Sequence, residues 1–404
     1  MIGNTSSEVM CRGVLVTAVN SDSRTVLLRG GGRWSIVLAR VLTDVLVDGS
    51  RFIWVAGKGT HAARRFAEGV TGARPGLELT VCEALAEVDG WPELDLAIVA
   101  SATPQHEVDV AAIVRLCSPK RVLVEKPMAS NPEAAARMIE ICKAPVELFV
   151  NYEFRATSYI QQFAALCARD DVLEMEASWC DPAEEQRGGA AKSANWATHI
   201  ALDQASHIWS IVDLFLPGVR VTSATPKFHI DGRGLTIDCE LEANSRPSAN
   251  LTLTISRNAY RRERRLTART RRDRKLAIDY AVEPGTITVN DEVLSTREEW
   301  QSAERPLARS IRALLDLTLP DDTLGAEALR ELLSASRCAD AMEFAEYIRR
   351  CIDLEAKALL LTASGLQRNL AREVLLTPHH ATSSFDRPDD ATLERSAQKF
   401  IRGE

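Results

Sequence analysis

Three consecutive glycines, Gly30-Gly31-Gly32, stand between VLLR and RWSIVLARVL. The residues before them are strand-like, and the pattern after them is that of an amphipathic helix. Glycine inside a helix or strand costs roughly 0.5–1 kcal/mol relative to alanine. Three in a row at a strand–helix junction therefore mark a backbone that something must approach closely. A dinucleotide meets that requirement: the turn lets a pyrophosphate reach the main chain, and the helix N-terminus offers N–H groups and the positive end of its dipole. A plain glycine-rich turn is the alternative. The G-x-G of the fingerprint is Gly30 and Gly32, and its third glycine position holds Ser35, small enough to keep helix and strand close.

The surrounding segments repeat one theme. From Thr25 to about Val150, short runs such as RFIWVAG, ELDLAIVASATP, KRVLVEKP and VELFVNY alternate with the helix-like HAARRFAEGV, HEVDVAAIVRLC and NPEAAARMIEICK. LTVCEAL fits either type, and Asn131 is placed to cap a helix. Such alternation implies parallel strands joined by crossover helices. After Tyr152 the pattern changes. A helix is expected over Ser158–Ala168, a strand at VLEMEASWC, and one long helix over NWATHIALDQASHIWSIVDLFLP. Short strands dominate from Val219 to Val293, as in an antiparallel sheet, and helix from Ala303 to Leu361. The expected organisation is α/β, with an extension over 1–24, a dinucleotide-binding domain over 25–150, a substrate and oligomerisation domain over 151–365, and a polar tail over 366–404.

Composition sets outer limits. Lys and Arg number 49 against 56 Asp and Glu, a net charge of −7, which argues against a general nucleic-acid binder. No apolar run reaches the roughly 18–20 residues of a membrane span, and the first residues lack the pattern of a signal peptide. The nine cysteines form no CxxC or His/Cys cluster. They read as reduced core thiols of a cytoplasmic protein, with no metal site.

In an open α/β sheet, ligands sit beyond the carboxyl ends of the strands. After the second strand stand Gly57, Lys58 and Thr60, with His61 and Arg64 close by and no acid. NAD sites usually carry a carboxylate here for the ribose hydroxyls, whereas cations and a hydroxyl suit a 2′-phosphate. The cofactor expected is NADP, with NAD possible. Two later strand ends read VASATPQH and VLVEKPMA. A lysine at such an end, held away from bulk water, can exchange a proton with a reacting oxygen or nitrogen; a surface Glu–Lys pair is the alternative.

GGGRW at 30–34, ATPQH at 102–106, VEKPMA at 124–129, NYEFR at 151–155 and DQASH at 203–207 together resemble the glucose–fructose oxidoreductase / inositol dehydrogenase / MocA family. The resemblance is clear from Thr25 to Leu216 and reaches the later strands by pattern alone. It implies an N-terminal Rossmann domain and a C-terminal α+β domain on an open, mainly antiparallel sheet. It also implies hydride transfer between a nicotinamide and a carbon bearing oxygen or nitrogen. It places catalysis on Lys126, Asp203 and His207; the i, i+4 spacing of the last two puts them on one helical face, and histidine donates protons near neutral pH. The cofactor would lie across Gly30, Gly31, Gly32, Arg33 and Trp34, with Lys58 and Thr60 at the adenosine ribose. Ala102, Thr103, Pro104, His106, Glu125 and Lys126 would flank the nicotinamide ribose. Asn151, Tyr152, Arg155 and His199 are further candidates for the substrate cleft.

The chain also departs from the family. Relatives place glycines before and within the D-x-x-x-H helix, where this chain has NWATHIAL and Gln204-Ala205-Ser206. The substrate therefore stays open: a sugar, a cyclitol, or a ketone or thiazoline imine on a carrier. A homo-oligomer is the expectation from resemblance. A reading of another class, a non-catalytic nucleotide-sensing or partner-binding protein on the same fold, predicts no loss of activity on changing Lys126 or His207. Finally, RNAYRRERRLTARTRRDRK at 257–275 is strongly basic. It reads as a solvated arginine face on paired strands, with an oligomer interface or a seat for an anionic substrate group as alternatives. Trp179, Trp196 and Trp209 are expected as core or as a stacking wall beside the site.

Overall fold

The computed structural model describes residues 22–187, 190–193, 198–243, 246–295, 305–319 and 324–376. The extension up to residue 21, Trp196 and the tail from 377 lie outside them. Six parallel strands form the first sheet: β1 (Thr25–Arg29), β2 (Arg51–Val55), β3 (Glu78–Cys82), β4 (Leu96–Val99), β5 (Arg121–Glu125) and β6 (Glu147–Asn151). Their order is β3-β2-β1-β4-β5-β6, so the chain reverses direction across the sheet between β1 and β4. The segment LTVCEAL is thus a strand over its first half.

Helices α1 (Arg33–Val45) and α2 (Thr60–Ala73) cover one face. Their Leu38, Leu42 and Ala63 pack with Val26, Leu28, Phe52 and Trp54. On the other face lie α3 (His106–Cys117) and α4 (Pro132–Ile141), packed on Leu27, Ile53, Ala97 and Val122. Burial on both faces explains why these strands are near-continuous apolar runs. Asn131 caps α4 through its side-chain oxygen, which accepts from Ala134 N at 2.8 Å.

The second sheet holds eight strands, in the order β10 (Arg220–Phe228), β11 (Leu235–Ala243), β12 (Arg246–Ser256), β7 (Val172–Cys180), β13 (Glu263–Thr270), β14 (Lys275–Asp279), β15 (Thr286–Val289) and β16 (Glu292–Ser295). Only β12 and β7 run parallel; the other neighbours are antiparallel. A separate hairpin pairs β8 (Glu184–Arg187) with β9 (Ala190–Ser193). Alternation decides the faces. Met175, Ala177, Leu251, Leu253 and Leu266 point into the core, while Glu174, Glu176, Arg265 and Arg269 are exposed. Helices α5 (Ser158–Cys167), α6 (Ser206–Val212) and α9 (Ala335–Thr362) supply the inner layer.

Three expectations are corrected. The long helix before Leu216 is not uniform: among the described residues it opens as a π-helical turn, Ala201–Ala205, before α6. The packed chain does not end at 365. Helix α10 (Gly365–Leu376) buries Leu370, Ala371 and Val374, whose spacing makes one apolar face. The stretch after 303 also serves the first sheet. Leu307, Ile311 and Leu314 of α7 (Pro306–Leu314) complete the core under α1, and Arg121 Nη1 donates to Leu314 O at 2.7 Å. A short helix α8 (Ala326–Leu333) joins α7 to α9. The division at 150 therefore separates the sheets but not the packing.

Candidate active site

A cleft of about 1180 Å³ opens at the carboxyl ends of the parallel strands and runs to the face of β7 and β13. Its floor is the glycine turn. Gly30 has φ +145°, a conformation L side chains rarely adopt, and a Cβ there would stand 2.5 Å from Ala100 O. Ser35 is fully buried against it, so the small residue at the third fingerprint position keeps the contact. Trp54 Nε1 donates to Gly30 O at 2.7 Å and fixes the turn from below. A Cβ on Gly31 would lie 1.9 Å from Ala56 O, and one on Gly59 2.2 Å from Gly31 O. The two loops touch backbone to backbone. Gly32 differs: a Cβ there meets nothing within 4 Å. It is the N-cap of α1, which carries no acid in its first turn and no side-chain cap. The open ground above Gly32, with N–H donors and no carboxylate, fits a pyrophosphate.

The far wall carries the charged machinery. Lys126 Nζ donates to Asp203 Oδ1 at 2.9 Å, bringing together residues 77 positions apart. Arg257 Nη2 stands 3.8 Å from Asp203 Oδ2 and also donates to Thr198 O. His207 lines the cleft from the first turn of α6. Its imidazole stacks on Trp179, centroids 4.2 Å apart and planes at 8°. The Arg264 guanidinium lies 3.9 Å from the centre of the same indole, held by Asp181 at 2.5 Å. The π-helical turn sets Asp203 and His207 around one opening; such insertions recur at functional sites.

Beneath Lys126, Glu125 is buried and accepts from Trp34 Nε1 at 2.5 Å and Asn151 Nδ2 at 2.6 Å. Burial pushes its carboxyl above the ordinary range, against those two hydrogen bonds and the nearby Lys126 charge. The sign follows: with the folded pKa raised, Glu125 contributes most to stability below its unfolded value, and that contribution fades as pH rises through the folded value. Glu125→Gln is expected to melt higher than the wild type near neutral pH, the gap closing toward about pH 4. Thermal melts across that range check it; a gap that widens in acid contradicts it.

Of the residues expected at the cofactor, Gly30, Gly31, Gly32, Arg33, Trp34, Lys58, Ala102, Thr103, Pro104, His106, Glu125 and Lys126 line the cleft. Thr60 does not: its hydroxyl turns inward and donates to Gly57 O at 2.5 Å, closing the turn into α2. His106 acts as a brace. Its ring nitrogens lie 2.9 Å from Ser101 O and 3.1 Å from Met128 O, tying two strand ends together, and burial lowers its pKa. Asn151 reaches the cleft, but three of its companions are corrected. Tyr152 is fully buried behind it. Arg155 is buried too, paired with Asp213 at 2.7 Å. His199 faces α9, 3.3 Å from Asp353.

Arg29, which no motif singled out, lines the cleft together with Arg257, Arg262 and Arg264 of the basic stretch. The basic stretch is thus only half a solvated face. Arg264 points inward, with Leu266 and Ala268 on the same side of β13, while Arg265 and Arg269 point out. The alternation in RRERRLTAR was the available signal, but nothing in it says which side meets the cleft. Among the described residues no helix is long and apolar enough to cross a membrane.

Residues 44–152 match the family model for an oxidoreductase family with an NAD-binding Rossmann fold, GFO_IDH_MocA. This segment belongs to the GFO_IDH_MocA oxidoreductases. Solved structures extend the likeness of fold to most of the chain. UDP-N-acetylglucosamine 3-dehydrogenase GnnA from Acidithiobacillus ferrooxidans is 16% identical, with 81% of this chain and 97% of that one covered at a TM-score of 0.60. The 3-ketoreductase KijD10 from Actinomadura kijaniata, as a variant in complex with TDP-benzene and NADP, is 18% identical, with coverage of 81% and 97% and a TM-score of 0.58. A myo-inositol dehydrogenase from Corynebacterium glutamicum is 16% identical, with coverage of 81% and 96% and a TM-score of 0.55. No curated protein matches the sequence. The GFO_IDH_MocA segment supplies the glycine cradle's β2 partner, the ATPQH loop and Lys126, whereas Asp203, His207 and the arginines come from beyond it.

Proposed function

We propose that the protein is an NADP(H)-preferring oxidoreductase acting on a carbonyl/hydroxyl or imine/amine carbon of a small molecule. One observation carries this reading: the glycine cradle and the Lys126–Asp203–His207 group line a single cleft. Gly30–Gly32 and the α1 N-terminus would hold the pyrophosphate, Lys58 the adenosine end, and Glu125 with Trp34 the floor near the nicotinamide. A bound nicotinamide supplies or accepts a hydride at its C4. Lys126, fixed by Asp203, stands ready to exchange a proton with the reacting substrate heteroatom, and His207 is the second proton carrier on the same wall. The indole of Trp179 holds the His207 ring in place.

The substrate end mixes Asp181, Asp203 and Glu283 with Arg257, Arg262 and Arg264. Carboxylates accept and guanidinium groups donate, a lining suited to a polar, oxygen-rich substrate such as a sugar or cyclitol. A carrier-bound intermediate is compatible with the open cleft mouth. NADP in the KijD10 complex and the absence of an acid after β2 support the cofactor preference. The test is titration of the purified protein with NADPH and NADH, read by nicotinamide fluorescence and melting temperature. A ligand that binds only the folded state must raise its stability. Tight NADPH and weak NADH are expected, and binding of neither removes the reading.

A further inference from the structure

Arg29 has a place in the cleft that no part of the dinucleotide fingerprint assigns. It is the last residue of β1, and its side chain crosses toward α3, where Nε donates to Asp109 Oδ1 at 3.0 Å. Asp109 is buried in the first turn of that helix. From this anchor the guanidinium reaches over the end of β2. Its Nη1 stands 3.8 Å from the point a Cβ on Gly57 would occupy, the one atom within 4 Å of that point. Gly57 is the second residue beyond β2, in the loop where NAD sites usually carry a carboxylate for the ribose hydroxyls. Here that space lies open to a cation from the neighbouring strand. Gly57 has φ +53°, so a side chain there would be strained, and its Cβ would come into van der Waals contact with the guanidinium. Among the described residues Nη1 and Nη2 donate to no protein acceptor, and Lys58 follows, exposed, on the same rim.

We propose, on the basis of the dinucleotide reading above, that Arg29 selects a cofactor bearing a 2′-phosphate, with Asp109 as its positioning residue. A guanidinium presents two parallel N–H donors that match two phosphate oxygens. A single carboxylate on Nε leaves both terminal nitrogens for that task while holding the fork at one angle. The acid that a 2′-hydroxyl needs is replaced by a group that rewards the phosphate.

The experiment compares the wild type with Arg29→Ala, Arg29→Lys and Asp109→Asn, titrated separately with NADPH and NADH by fluorescence, with melting curves of the free proteins alongside. The wild type is expected to prefer NADPH. Arg29→Ala should weaken NADPH by about 10- to 100-fold while NADH changes by less than about threefold. Arg29→Lys keeps the charge but not the fork and should fall between. Asp109→Asn should shift the NADPH-to-NADH ratio in the same direction by a smaller factor, which a purely structural role would leave unmoved. The proposal is overturned if Arg29→Ala weakens both nucleotides equally, or if its preference for NADPH survives. A wild type that binds both alike overturns it too. Failure of the wild type to bind either nucleotide is a different result, since it removes the dinucleotide reading before any variant is compared.

Discussion

Lys126→Ala is expected to lower turnover by about 10²–10⁴-fold, the range of a lost general acid or base, while NADPH affinity changes only a few-fold. Lys126 is three-quarters covered, its Nζ held 2.9 Å from Asp203 Oδ1. Its ammonium is turned to Asp203 and takes no part in the glycine turn that would hold the pyrophosphate. Its removal therefore takes away a proton carrier and leaves the pyrophosphate's seat on Gly30–Gly32 intact. Lys126→Arg should rescue little, because a planar guanidinium cannot replace a compact ammonium as a proton source at neutral pH. Asp203→Asn should cost less in rate and shift the pH profile, since it changes the field around Lys126 without removing it. Single-turnover absorbance of NADPH, with a substrate found by screening ketones, imines and sugars, measures all three. Unchanged turnover in Lys126→Ala would remove the lysine from the chemistry and favour the nucleotide-sensing alternative.

Gly31→Ala and Gly32→Ala are expected to fail in opposite ways. A methyl on Gly31 would stand 1.9 Å from Ala56 O, with Gly59 N at 2.8 Å. All of these are backbone atoms, which cannot swing aside, so the β1 and β2 loops must separate. A loss of about 1–3 kcal/mol or more is expected, read as a lower melting temperature, together with lost nucleotide binding. Gly32 has φ −80° and ψ 177°, values any residue adopts, and open space where the methyl would go. Gly32→Ala should fold and melt like the wild type. It should still bind NADPH about 10- to 100-fold more weakly, because the methyl takes the ground of the pyrophosphate, at a cost of roughly 1.4–2.8 kcal/mol. Wild-type affinity in Gly32→Ala would mean that no pyrophosphate lies over the turn.

These two glycines show where sequence reading stops. GGG between a strand and a helix announced a close approach to the backbone. It did not show that Gly31 serves the neighbouring loop while Gly32 faces the cleft. The same holds for Thr60, whose residue type suited a ribose but whose hydroxyl is used by Gly57 O. Tyr152, Arg155 and His199 lie beside true lining residues in sequence and point away from the cleft in space. In Asn151–Arg155 the strand ends and a short turn begins, so neighbours no longer share a face.

The sequence by itself determined the parallel sheet, the glycine turn and the carboxyl-end position of Lys126. Each of these depends on residues within a few positions of one another, where periodicity and backbone freedom act. Only the tertiary structure decided that Lys126 meets Asp203 and that Arg29 fills the ground beside Gly57. It also turned Arg257 and Arg264 inward and brought α7 back to roof the first sheet. Those outcomes depend on which faces pack together across tens to hundreds of residues. The burial that drives such packing is proportional to area and carries no direction along the chain.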